Sequence, residues 1–129
     1  MNAFLFGTVV ILSATAEPSI NQILDGIRMV ESSNLPNPKD GDNGLAIGPY
    51  QIHKSYWKDG TRLLKVNWPY SEARQESKAR QVVKAYITSY GKGHGWEGMI
   101  RCHNGGPTGW KKKATLGYLA KVKAAMKVK

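Results

Sequence analysis

Only one cysteine, Cys102, stands in the 129 residues. No disulfide can form within the chain, and metal sites built from four cysteines or from two cysteines and two histidines are excluded. A nucleophilic Cys102 beside His103 lacks support, because adjacent side chains diverge and no activating geometry follows. Acidic residues are also scarce: nine Asp and Glu against 19 Lys and Arg leave a formal charge of +10. That imbalance attracts polyanions without choosing among nucleic acid, anionic lipid and cell-wall polymer. The main apolar run, residues 3–12, is too short to span a bilayer comfortably. Length and the absence of an internal repeat leave room for one domain and no second cofactor-binding lobe. Since 41% of the residues are hydrophobic, disorder does not describe the whole chain. Its core must suffice without crosslinks, at a size where cores are thin.

The N-terminus reads MNAFLFGTVVILSATA, and Ala14-Thr15-Ala16 fits the small-x-small pattern of signal-peptide cleavage. No Lys or Arg precedes the apolar run, and Glu17-Pro18 follows at once. A buried first helix or a membrane anchor is the competing reading. The expectation is a signal peptide at residues 1–16, one domain at 17–129, and a secreted or periplasmic protein.

Beyond it, Ile20, Ile23, Leu24, Ile27 and Val30 recur at amphipathic-helix spacing, with Ser19 as N-cap and Pro36 closing the segment. Glu31 falls in or just after the last turn. Residues 35–48 are rich in Pro, Gly, Asp and Asn, and Asp42-Asn43-Gly44 is a turn signal. A small β-hairpin or irregular excursion is expected near residues 40–52. The same stretch fails as a calcium loop, because Leu45 stands where an EF-hand needs glycine and no Glu closes it. A short helix is then expected to end at Gly60, with a loop over 62–70. A long helix starts at Ser71–Arg74, carries Ala79, Val82, Val83, Tyr86, Ile87 and Tyr90 on its apolar face, and ends at Gly91. Residues 96–103 read as a helix docking through Met99 and Ile100. Residues 115–128 read as a last helix with Leu116, Leu119, Val122 and Met126 on one side. The fold class is mainly α (α+β).

At a helix C-terminus the dipole disfavours negative charge, and partial burial acts the same way. Glu31 is thereby suited to general-acid chemistry, while Asp40 and Asp42 in the turn face solvent and stay ionised. One carboxylic acid beside one carboxylate is the asymmetry that glycoside hydrolysis uses. On pattern alone, a Glu at a helix end is more often a surface residue. Tyr50, Gln51, His53, Tyr56 and Trp57 follow the turn, and Trp96, His103 and Asn104 come later. Aromatic faces and amide or imidazole hydrogen bonders suit sugar clefts, although each residue alone has a packing explanation.

GPYQIHKSYWKDG (residues 48–60) and HNGGPTGW (103–110) closely resemble two signature segments of the invertebrate-type lysozymes. VVKAYITSYG (82–91) is similar to the long helix between them, and ATLGYLAKV (114–122) to a C-terminal Thr-x-x-Tyr segment. A more distant resemblance is to the lytic transglycosylases, through Glu-Ser after a helix and Gly-x-x-Gln-Ile. The similarity covers most of residues 20–125 and implies a lysozyme-like fold. By position, it implies Glu31 as proton donor and Asp42 as nucleophile or stabiliser, with Asp40 the runner-up. Asp59 is expected to be structural. Tyr50, Gln51, His53, Ser55, Tyr56, His103 and Asn104 would line or shape the cleft. The family's disulfides are absent: Ile47, Gly60 and Trp110 stand where cysteines are expected.

The resemblance implies hydrolysis of the β-1,4 bond between N-acetylmuramic acid and N-acetylglucosamine in peptidoglycan. It implies no metal or organic cofactor, no nucleic-acid partner, no stable membrane insertion and a monomer. Three alternatives are a lytic transglycosylase leaving 1,6-anhydro ends, a silent peptidoglycan- or chitin-binding protein, and a membrane-disrupting cationic antimicrobial. The long helices lack the polar–apolar split that the last would need.

Overall fold

The computed structural model describes residues 16–127. Apart from Ala16, the expected signal peptide lies outside the described residues. Five helices carry the fold: α1 (Ile20–Ser32), α2 (Lys54–Leu64), α3 (Glu76–Tyr90), α4 (Gly95–Gly105) and α5 (Leu116–Lys127). Ser19 begins α1 with a reciprocal cap. Its hydroxyl accepts from the Gln22 amide at 3.1 Å, and its own amide donates to Gln22 Oε1 at 2.8 Å. Ile23, Leu24 and Ile27 then turn one face of α1 into the core.

Two glycines let helices approach closely. A Cβ on Gly26 of α1 would stand 2.7 Å from Met126 Cγ and 3.2 Å from Val122, both on α5. A Cβ on Gly60 would collide with Val82 Cγ1 on α3. Gly60 therefore does not end α2, as expected from sequence. It lies inside the helix, which continues to Leu64 and closes on Lys65 in a left-handed conformation (φ 60°). The long helix also starts later than expected. Residues Tyr70–Arg74 form a 3-10 turn, and the extended backbone of Gln75 separates it from α3. The last helix begins at Leu116, whose side chain is exposed rather than part of the apolar face, while Leu119 and Val122 are buried. Its expected final residue, Val128, lies outside the described residues.

The excursion over residues 40–52 consists of two consecutive tight loops, without extended strands. Gly41 and Ala46 exchange amide–carbonyl hydrogen bonds of 2.9 and 3.1 Å, and Ile47 and Ile52 exchange bonds of 3.2 and 2.9 Å. Ile47 and Ile52 are buried, so these bridges fasten the loops to the core. The Tyr70 hydroxyl donates to the Ile52 carbonyl at 2.7 Å and ties them down from outside.

Gly48 starts the second loop at φ 78°, and a Cβ there would meet the Ala73 carbonyl oxygen. Gly44 has φ 88° but open space around it. Urea unfolding should separate the two constraints. Gly44→Ala should cost about 1–2 kcal/mol for its backbone conformation. Gly48→Ala should cost about 1–3 kcal/mol more, because a peptide carbonyl must also move.

Candidate active site

Glu31 occupies the last turn of α1, and its side chain is 20% exposed. Its Oε2 accepts a hydrogen bond of 2.7 Å from the Tyr118 hydroxyl on α5. The same oxygen lies 3.3 Å from Nε2 of His103 on α4, a side chain only 2% exposed. His103 Nε2 also stands 3.1 Å from the Tyr50 carbonyl, and Nδ1 stands 2.8 Å from the Tyr56 hydroxyl. A peptide carbonyl can only accept, so Nε2 carries a hydrogen and Nδ1 accepts from Tyr56. Burial, with the Glu31 charge nearby, pushes both the Tyr56 and Tyr118 phenols well above their usual range. Both therefore keep their protons and act as donors. Tyr56 is itself held by stacking on Tyr86, with ring centroids 3.6 Å apart.

Asp42 stands on the opposite lip. Asp42, Asn43 and Gly44 are successive left-handed residues (φ 50°, 57° and 88°). Asp, Asn and Gly are the residue types that tolerate this region best, so the sequence of the turn suits its shape. Asp42 Oδ2 lies 3.0 Å from Nε2 of His53, the residue that begins α2. Between the lips is a cavity of about 220 Å³, lined by Glu31, Asp42, Ala46, Gln51, His53, His103 and Asn104. Gln51 holds the floor, with its side-chain amide donating to the carbonyls of Gly48 at 3.0 Å and Lys39 at 3.3 Å.

Six of the residues selected from sequence thus meet around one cavity: Glu31, Asp42, Gln51, His53, His103 and Asn104. The others do not line it. Tyr50 is fully buried and directs its hydroxyl to Glu76 at 2.7 Å, so only its carbonyl serves the site. Tyr56 is buried behind His103 and shapes the cleft through that imidazole. Ser55 is exposed on the first turn of α2, outside the lining. Asp40 is engaged elsewhere, because Arg74 donates to both its oxygens at 2.7 and 3.0 Å. Asp59 pairs with Arg62 of the same helix at 3.5 Å. Tyr118 was not selected; its only sequence signal is its place in the Thr-x-x-Tyr segment. Among the described residues, no three His, Cys, Asp or Glu side chains gather as a metal-binding set.

A helical scaffold with two carboxylates facing each other across an open cleft defines the lysozyme-like class. Comparison with known proteins narrows it. The destabilase family model matches residues 21–125. Invertebrate-type lysozyme 3 of Caenorhabditis elegans is 33% identical over 137 residues, covering 96% of this chain and 95% of its own. Invertebrate-type lysozyme 6 of the same organism is 39% identical over 92 residues, covering 61% of this chain and 66% of its own. That second match spans just under two thirds of its relative's length. A chain in the crystal structure of Aeromonas hydrophila PliI in complex with Meretrix lusoria lysozyme superposes with a TM-score of 0.66. It is 32% identical and covers 84% of this chain and 93% of that one. The chain belongs to the destabilase family, and the invertebrate-type lysozymes are its relatives.

Arg74 holds the Asp40 carboxyl below the usual carboxylate range, chiefly by hydrogen bonding. The folded protein therefore binds that proton less readily than the unfolded chain. The stabilisation is present above the unfolded value, about 3.9, and is lost as pH falls through the lower folded value. Asp40→Asn should accordingly lower the urea midpoint at neutral pH. Its difference from wild type should disappear in strong acid.

Proposed function

We propose that the chain is a muramidase-type peptidoglycan hydrolase, cleaving the β-1,4 bond between N-acetylmuramic acid and N-acetylglucosamine. The supporting observation is that Glu31 and Asp42 face one cavity from opposite lips, while Asp40 is held by Arg74. Glu31 gives its proton to the glycosidic oxygen as the bond to the anomeric carbon breaks. Asp42 stabilises the positive charge developing on the sugar or bonds to its anomeric carbon. Water then attacks that carbon and returns a proton to Glu31, which restores the enzyme. His53 keeps Asp42 directed at the sugar, and Gln51, His103 and Asn104 offer polar groups to its hydroxyls.

The protein works as an exported monomer, outside the cell or in the periplasm, on an anionic envelope that its +10 charge attracts. Neither nucleic acid nor stable membrane insertion belongs to this reading. Among the described residues, no helix is long and apolar enough to cross a membrane.

Purified peptidoglycan with mass analysis of the products provides the test. Glu31→Gln and Asp42→Asn should each lower turnover by about 10²–10⁴-fold, while Asp40→Asn should stay near wild type. Reducing ends should appear; muramyl ends that are all 1,6-anhydro would make the protein a lytic transglycosylase instead. Wall clearing that persists in Glu31→Gln would sink the enzymatic reading altogether. Binding to insoluble wall should weaken as salt rises from about 0.1 M to about 1 M, where screening shrinks from roughly 10 Å to roughly 3 Å.

A further inference from the structure

One hydroxyl donor, Tyr118, is aimed at a single oxygen of Glu31, and the His103 imidazole, whose Nε2 hydrogen serves the Tyr50 carbonyl, flanks that oxygen. The Tyr118 hydroxyl lies 2.7 Å from Oε2, and His103 Nε2 lies 3.3 Å from the same atom. Among the described residues, no side chain donates to Oε1. Tyr118 donates in this contact, and burial with the neighbouring carboxylate holds its phenol proton in place. Of the two oxygens of a carboxylic acid the carbonyl oxygen is the better acceptor, so the oxygen that takes the Tyr118 hydrogen bond is the carbonyl one. The acid's own hydrogen then resides on the other oxygen.

We propose that Tyr118 is a positioning residue which, by donating to Oε2, confines the transferable proton of Glu31 to Oε1. This rests on the reading of Glu31 as the general acid. When the proton leaves Oε1 for the glycosidic oxygen, Glu31 becomes a carboxylate and the Tyr118 hydroxyl faces a full negative charge. The Tyr118 contact is therefore stronger in the transition state than in the resting acid, which is the condition for lowering a barrier. Removing the hydroxyl deletes a hydrogen bond that is stronger to the charged form than to the neutral one, so the variant's pH profile reads the contact as well as its kcat does.

The other titratable groups around Glu31 come from every neighbouring element. His103 approaches from α4, and Tyr56 from α2 behind it. Asp42 and His53 face it across the cavity. Of these, only Tyr118 and His103 touch the carboxyl oxygen directly. Tyr118 is the cleaner one to alter, because Phe keeps the ring that packs there.

The test measures kcat and KM against pH for wild type and Tyr118→Phe, on a soluble tetrasaccharide of alternating N-acetylglucosamine and N-acetylmuramic acid. The expected result is a kcat lower by about tenfold, KM within about twofold, and an alkaline limb moved up by about one pH unit. Site-specific 3-fluorotyrosine at 118, a stronger donor of nearly the same shape, should move that limb the opposite way. It also keeps the test decisive if Tyr118→Phe folds poorly. An alkaline limb that stays at the wild-type pH in both variants overturns the proposal, whatever happens to thermal stability. Glu31→Gln is run in parallel. If it remains active, the general-acid reading falls and takes this inference with it. If it is inactive while Tyr118→Phe keeps the wild-type profile, only the positioning role falls.

Discussion

The close packing of α5 across α1 is the contact on which the cleft depends. Gly26 leaves room for Val122 and Met126 to lie against the α1 backbone, where any Cβ would collide with Met126. That approach carries Tyr118, from a helix 87 residues away in sequence, to hydrogen-bonding distance of Glu31. His103 arrives from α4 at the same oxygen, and its other nitrogen is fixed by Tyr56, stacked in turn on Tyr86. Four helices besides α1 thus contribute to the placement of one carboxyl group. The ring carbons of these aromatics belong to the core, and their polar tips define the site.

The opposite lip is built differently. Asp42 owes its position to left-handed backbone and to the paired hydrogen bonds, Gly41 with Ala46 and Ile47 with Ile52, that close the two loops. These are local constraints, fastened to the core by two buried isoleucines and capped by Tyr70. They also explain how the chain manages with one cysteine. Of the positions where resemblance implies crosslinks, Ile47 packs in the core and Gly60 receives Val82. Trp110 stacks on His94 at 3.5 Å. Core burial, close helix contact and aromatic stacking respectively stand at the three positions in place of covalent bonds.

The sequence made legible whatever depends on local periodicity and turn chemistry. The α1 boundaries, its Ser19 cap and the placement of Glu31 followed from apolar spacing and flanking residues. The turn at Asp42-Asn43-Gly44 was readable because those residue types tolerate a left-handed backbone. Gly60 misled, since a glycine that ends a helix and one that admits a neighbouring helix look alike in sequence. Asp40 and Asp42 were also hard to separate two residues apart. Only the long-range pairing with Arg74 removes Asp40 from the cleft. Tyr50 and Tyr56 lie beside the cavity through their contacts with His103, but which way a tyrosine points is decided by packing partners on distant helices. Tyr118 escaped selection for the same reason.

The direct measurement of this arrangement is neutron diffraction of the deuterated protein at a pH where it is active. Deuterium is expected on Oε1 of Glu31, with the Tyr118 hydroxyl donating to Oε2 and His103 Nε2 to the Tyr50 carbonyl. Deuterium on Oε2, with Tyr118 turned to accept, would contradict it.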